Sequence, residues 1–240
     1  MGRRSLPKLD PSLQLESHLL SFEALDSPWD PTRIYGRRAP LEIEVGSGKG
    51  LFLLTESQRV GAHNFLGIEI VRKYARYSAA RLVKHQVANA RMLQGDGQRF
   101  LVEFVPESSI RRVHVYFPDP WWKKRHRRRR VLNDMFLRHV ERVLEPQGEL
   151  HFWTDVEEYF QTTLETIATH TQLQGPLPVP ERDAEHDMDY HTNFERRMRM
   201  HGLPVYRSFF IKRHEHVPIP AERLSQASDT EAEHADHDRP

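Results

Sequence analysis

Apolar positions change their period repeatedly along the middle of this chain, and each change marks an element. Leu41–Val45 (LEIEV) reads as a strand, GSGKG as a tight loop and LFLLTES as the opening of a helix. Asn64–Ile70 is a second strand. Val71–Lys84 carries Val71, Tyr74, Ala75, Ala79, Leu82 and Val83 at helical spacing. Ala90–Leu93 is a short third strand ending at Gly95-Asp96-Gly97, and Val113–Phe117 is a fourth. Val131–Leu144 returns to helical spacing, and Pro146 and Gly148 stop it. Gly148–Thr154 is a fifth strand and Val156–Ile167 a further amphipathic helix. Strands alternating with helices predict an α/β fold, a mostly parallel twisted sheet with helices on both faces. In such sheets ligands sit beyond the carboxyl ends of the strands, and the chemically notable residues of this chain all fall there.

The ends differ from the middle. Residues 1–40 hold five prolines and little periodicity, which predicts a largely irregular N-terminal arm; residues 41–213 form the domain. From His214 to Pro240, seven acids stand against two bases, a net charge of −5 in a polar stretch expected to be disordered. With +1 overall, residues 1–213 carry +6, so a polyanionic partner is expected for the body. His214, His216, His234 and His237 lie in this acidic tail, and no metal site is expected from them. Cysteine is absent, which excludes disulfides, thiolate zinc sites and a Cys nucleophile. No apolar run approaches the ~20 residues of a membrane span, and no apolar stretch follows the basic N-terminus, so no signal peptide is expected. A cytoplasmic protein, monomer or homodimer, is the simplest expectation.

Glu44-Val45-Gly46-Ser47-Gly48-Lys49-Gly50 closes the first strand and opens a helix. Glycines there allow a sharp turn and close approach of a ligand. The string is neither a Walker loop nor G-x-G-x-x-G. Glu69 ends the second strand, about 20 residues on, where a carboxylate holds a ribose diol. Asp96 ends the third, within reach of an adenine amine. A carboxylate at Glu44 would repel a pyrophosphate but suits a positive centre. Together these residues favour S-adenosylmethionine over NAD.

Asp119 follows the fourth strand, held between Pro118 and Pro120, in FPDPWWKKRHRRRR (Phe117–Arg130). At this point the chain resembles the bacterial tRNA (guanine-N7)-methyltransferases. The resemblance runs from about Leu41 to Lys212 and rests on EVGSGKG, GIE (Gly67–Glu69), GD (Gly95–Asp96), DPWxKxRHxxRR (Asp119–Arg130), TD (Thr154–Asp155) and TNFE (Thr192–Glu195). It implies a Rossmann-like class I methyltransferase with a final antiparallel strand near Tyr206–Lys212. It implies transfer of a methyl group from S-adenosylmethionine to N7 of a tRNA guanosine, position 46 in the variable loop. By the resemblance Glu44, Glu69, Asp96 and Asp119, with the loop glycines Gly46 and Gly48, line the cofactor site. Asp119 is also the catalytic acid, and Lys123, Asp155, Thr192, Asn193, Phe194 and Glu195 contact the substrate.

The residues beyond Asp119 name a substrate class on their own. Lys123, Lys124, Arg125, Arg127, Arg128, Arg129 and Arg130, with His126 among them, form a basic run suited to backbone phosphates. Trp121 and Trp122 either stack on an unpaired base or pack the loop onto the domain. An exocyclic-amine RNA methyltransferase, usually marked by a DPPY-type string, and a non-enzymatic RNA-binding module are the alternatives. Thr192-x-x-Glu195 also reads as a capping box, and Asp155-x-x-Glu158 as a cap after the fifth strand.

Overall fold

In the computed structural model, residues 6–121, 124–179, 190 and 192–213 are described. Among the described residues, eight strands form one sheet. In chain order they are β1 (Leu19–Leu20), β2 (Leu41–Val45), β3 (Asn64–Glu69), β4 (Ala90–Gln94), β5 (Ile110–Tyr116), β6 (Leu144–Thr154), β7 (Gln174–Leu177) and β8 (Tyr206–Ile211). The helices are α1 (Thr32–Tyr35), α2 (Leu51–Arg59), α3 (Arg72–Lys84), α4 (Gly97–Glu103), α5 (Asp134–Val143), α6 (Glu157–His170) and α7 (Asn193–Met200), with 3₁₀ turns at Phe22–Ala24 and Lys124–Arg129. The spatial order is β1-β4-β3-β2-β5-β6-β8-β7. β2 pairs parallel with β3 and β5, β3 with β4, and β5 with β6, while β8 runs antiparallel to β6 and β7. The predicted Rossmann-like class, with helices on both faces and a final antiparallel strand, β8, is the observed one.

Alternation along the strands decides which helices cover which face. Ile43, Val45, Val113, Val115, Leu150, Phe152 and Phe210 turn one way, into a core shared with Phe100, Phe136, Val140 and Tyr159 from α4, α5 and α6. The side chains of Phe136, Leu137, Val140 and Val143 are wholly buried on α5. Each contributes about 1.5–3 kcal/mol by leaving water. A second core joins Leu53, Leu54, Ala75, Ala79 and Leu82 of α2 and α3 to Phe65, Ala90 and Met92.

Several boundaries differ from the sequence expectation for local reasons. α5 starts at Asp134 rather than Val131, because the Asn133 side chain accepts from the Phe136 N–H at 2.9 Å and caps it. α4, which the spacing does not announce, is nucleated by Asp96, whose Oδ1 accepts from Gln98 N (2.8 Å) and Arg99 N (3.2 Å). Asp155 is not a cap. Val156 occupies the N-cap of α6 without a side-chain bond, and Thr154 Oγ1 accepts from the Val156 N–H at 3.2 Å.

The N-terminal segment packs on the sheet through a few anchors. β1 pairs parallel with β4. Trp29 is buried and meets Phe100 edge-on at 5.1 Å. Tyr35 Oη donates to the Phe65 carbonyl at 2.6 Å. The tail from His214 lies outside the described residues.

Candidate active site

The C-terminal ends of β4, β3, β2 and β5 lie side by side, in a register that pairs Glu69 with Gln94, Glu44 with Gly67, and Glu44 with His114. The loops that follow therefore share one edge of the sheet. The turn after β2 takes left-handed backbone at Gly46 (φ 84°), Gly48 (φ 52°) and Gly50 (φ 64°), a region that side chains with a Cβ avoid. A Cβ at Gly46 would meet nothing within 4 Å. The space beyond that turn is open to a ligand.

Two carboxylates flank the turn in different electrostatic states. Glu69 is 7% exposed; its Oε2 accepts from the Gly48 N–H at 2.9 Å and its Oε1 from the Val71 N–H at 2.8 Å. These bonds fix its orientation and tie the end of β3 to the glycine turn. Glu44 is 4% exposed and, among the described residues, its buried Oε2 meets no hydrogen-bond partner. Burial pushes its pKa up to about 8; a hydrogen bond with Ser47 opposes this and the charge of Glu69 adds to it. A buried acid with an unpartnered oxygen, next to an open turn, fits a cationic ligand that can take up its charge. This donor set has no place for a pyrophosphate. The residues thus fit S-adenosylmethionine, which carries a sulfonium and an ammonium and no phosphate. Asp96 follows β4 as the cap of α4, and Gly95 before it packs against the ring of Phe22 from the N-terminal segment, leaving no room for a Cβ.

Asp119 is exposed, on the loop that leaves β5. Phe117 and Trp121 on either side both hold positive φ, 48° and 45°. For aromatic residues this is strained backbone, kept only when the surroundings over-determine it. Phe117 is held by its N–H to the Trp153 carbonyl (2.8 Å) and by its ring against Phe194, 4.8 Å between centroids. That ring contact brings the start of α7 onto the end of β5. Trp153 pairs with Tyr116, so Thr154 and Asp155 emerge next to the same loop. The TD and TNFE motifs therefore join the Asp119 loop on one edge, although they are distant in sequence.

The individual residues expected at the substrate diverge in their placement. Arg125 and Arg129 are exposed, and Arg129 lies over the Trp121 ring at 5.2 Å. His126 meets Trp121 edge-on at 5.8 Å. Trp121 is half-buried, with the Arg129 guanidinium and the His126 ring gathered around it. Lys123, Trp122 and the side chains of Arg127 and Arg128 lie outside the described residues. Arg130 departs from the expected phosphate contact: it is 6% exposed and turned inward. Thr192 Oγ1 accepts from the Glu195 N–H at 2.9 Å, the predicted capping bond. Glu195 is 2% exposed and pairs with Arg199 at 3.5 Å, so its carboxylate braces α7.

Beneath the site lies a polar chain that strand periodicity alone does not announce. Glu42 accepts from Arg112 (3.0 Å) and bonds the rings of His63 (2.6 Å) and His114 (2.8 Å). His114 Nδ1 meets Tyr116 Oη at 2.8 Å. Its signal in the sequence is the polar alternation of Glu42-x-Glu44 and Arg112-x-His114-x-Tyr116 within strands buried on both faces.

A family model described as "Putative methyltransferase" matches residues 38–208. The tRNA (guanine-N(7)-)-methyltransferase of Rhodopirellula baltica is 50% identical over 219 residues, 89% of this chain and 81% of the relative. The chain belongs to the tRNA (guanine-N7)-methyltransferases. Their member from Legionella pneumophila (strain Corby) is 32% identical over 202 residues, 84% of this chain and 89% of that protein. Among solved structures, a SAM-dependent methyltransferase from Aquifex aeolicus aligns with a TM-score of 0.48 at 14% identity, over 77% of this chain and 90% of that one. An O-methyltransferase from Thermotoga maritima aligns at 0.49 and 14% identity, over 76% and 62%. Among the described residues of this methyltransferase, no helix is long and apolar enough to cross a membrane.

Proposed function

We propose that the protein methylates N7 of a guanosine in tRNA, in the variable loop, with S-adenosylmethionine as donor and Asp119 as the catalytic carboxylate. Its membership of the family named for that reaction carries the reading. The convergence of its motifs on one edge of the sheet supports the roles given to individual residues.

Glu44, the turn of Gly46 and Gly48, Glu69 and Asp96 would hold the donor. When bound, S-adenosylmethionine supplies an electrophilic methyl group carried on a sulfonium. Guanine N7 presents a lone pair and no proton, so the site needs no strong base; it needs alignment. The ring becomes cationic as it accepts the methyl group. A fixed carboxylate at Asp119 stabilises that charge or holds the N–H edge of the base. Asp119 is exposed to an incoming base, yet its loop is held by two flanking prolines and by the contacts of Phe117 with Trp153 and Phe194. Asp155, Thr192, Asn193 and Phe194 would line the base. Arg125, His126 and Arg129, with Lys123, Arg127 and Arg128, would take the phosphates. Glu195, being buried, would serve by holding α7 in place.

The test is Asp119→Asn in a single-turnover assay at saturating tRNA and donor. Loss of a charge that develops its value in the transition state lowers the rate by ~10²-fold or more, with tRNA affinity unchanged. Asn caps a turn about as well as Asp, so a well-folded variant with wild-type turnover would remove Asp119 from the mechanism.

A further inference from the structure

The last arginine of the basic run does not face the solvent. Arg130 Nε donates to the Pro120 carbonyl at 2.8 Å, and its Nη2 meets Glu158 Oε1 at 3.5 Å. The guanidinium lies over the Tyr159 ring, 4.5 Å from its centroid. Tyr159 is 1% exposed and packs edge-on against Phe152 of β6 at 5.8 Å. A continuous line of contacts therefore runs from the sheet core, through Tyr159 and Arg130, to the carbonyl of the residue after Asp119. A buried cation is retained only when paired, and this one is paired by a carbonyl, a carboxylate and an aromatic face at once.

We propose that Arg130 is a positioning residue that fixes the Asp119 loop, and is not one of the cations that hold RNA. The inference rests on the role given to Asp119 above. The loop needs such a tie. Phe117 and Trp121 hold positive φ on either side of Asp119. The Phe117 side is secured by Trp153 and Phe194, and the Trp121 side by Arg130 through Pro120. The chemistry of the tie is specific to arginine. A planar guanidinium can stack on a ring and donate in its own plane simultaneously, whereas an ammonium is a point charge that does not stack in this way. A phosphate contact, by contrast, tolerates lysine.

The experiment compares Arg130→Lys, Arg130→Ala and Asp119→Asn with wild type, with melting temperatures, tRNA affinity across salt concentrations and single-turnover rates at saturation. In Arg130→Lys the salt slope of tRNA binding should stay at the wild-type value while the saturated rate falls roughly 10–10²-fold, the scale of a misplaced catalytic group. Arg130→Ala, if it folds, should behave alike and regain part of its rate with added guanidinium ion at sub-denaturing concentration. If Arg130→Ala does not fold, the lysine variant decides alone. Wild-type turnover in Arg130→Lys, or a reduced salt slope in Arg130→Ala, would overturn the proposal. A fast Asp119→Asn would instead retire the reading of Asp119, whatever Arg130 does.

Discussion

Glu44 should make donor binding release a proton. Burial holds its pKa at about 8, with the charge of Glu69 adding to the effect. The group is therefore mostly neutral at pH 7, while a cationic donor favours its ionised form. If the ionised form alone binds well, the competent fraction for a pKa of about 8 is about 1% at pH 6 and about 24% at pH 7.5. Affinity should then rise roughly 25-fold over that range, about 1.9 kcal/mol at 1.36 kcal/mol per pH unit of linkage. Calorimetry at pH 6.5 in buffers of different ionisation enthalpy should report close to one proton released per donor bound. Glu44→Gln should bind weakly, release none and show no pH dependence from pH 6 to 7.5. The same shift has a sign for stability. Because the folded pKa is raised, the contribution of Glu44 is complete below the ordinary carboxylate pKa and is lost as pH rises through about 8. Glu44→Gln should hold its melting temperature better than wild type across that window. Binding without proton release, or an equally pH-independent wild type, would refute the placement of Glu44 against the donor's charge.

Other residues yield sharper local tests. Glu69→Ala should weaken donor binding by roughly 1.5–3 kcal/mol, because a charged acceptor is lost; wild-type affinity by calorimetry would remove Glu69 from the cofactor site. Arg125→Ala and Arg129→Ala should each lower the slope of log K against log salt for tRNA by about 0.7–0.9, with donor affinity unchanged; an unchanged slope would rule out phosphate contact for that residue. Glu42→Ala should destabilise the fold by about 1–3 kcal/mol, measured by urea unfolding, because the buried His114 ring loses its carboxylate partner, while Arg112 keeps Glu149. The Glu42 carboxyl is held well below its ordinary pKa, by His114 first and then by His63 and Arg112, against the opposing and largest effect of burial. Its contribution is therefore present above the ordinary carboxylate pKa and lost on acidification, and Glu42→Ala should flatten the acid limb of the stability curve.

The sequence made the central strands legible because their signal is one-dimensional. LEIEV is β2 to the residue, and Asn64–Ile70 overruns β3 by one. Helix starts were harder, since α5 begins where Asn133 caps it and α4 where Asp96 does; a short polar side chain carries no periodicity. The gathering of EVGSGKG, GIE, GD and FPDP followed from the parallel topology, which puts the ends of successive strands on one edge. Three features needed coordinates. Arg130 sits in an unbroken basic string, and only the fold shows that it turns inward while Arg129 turns outward. The positive φ of Phe117 and Trp121 has no compositional trace, because neither residue favours it. The packing of Phe22 on Gly95 joins two segments that share no pattern.

The most direct test is nucleoside analysis of tRNA incubated with the protein and S-adenosylmethionine, with Asp119→Asn alongside, followed by mapping of the modified nucleotide. The account predicts 7-methylguanosine at a single variable-loop position with the wild-type protein and little with the variant. Methyl groups on an exocyclic amine, or tRNA that binds and stays unmodified, would contradict it.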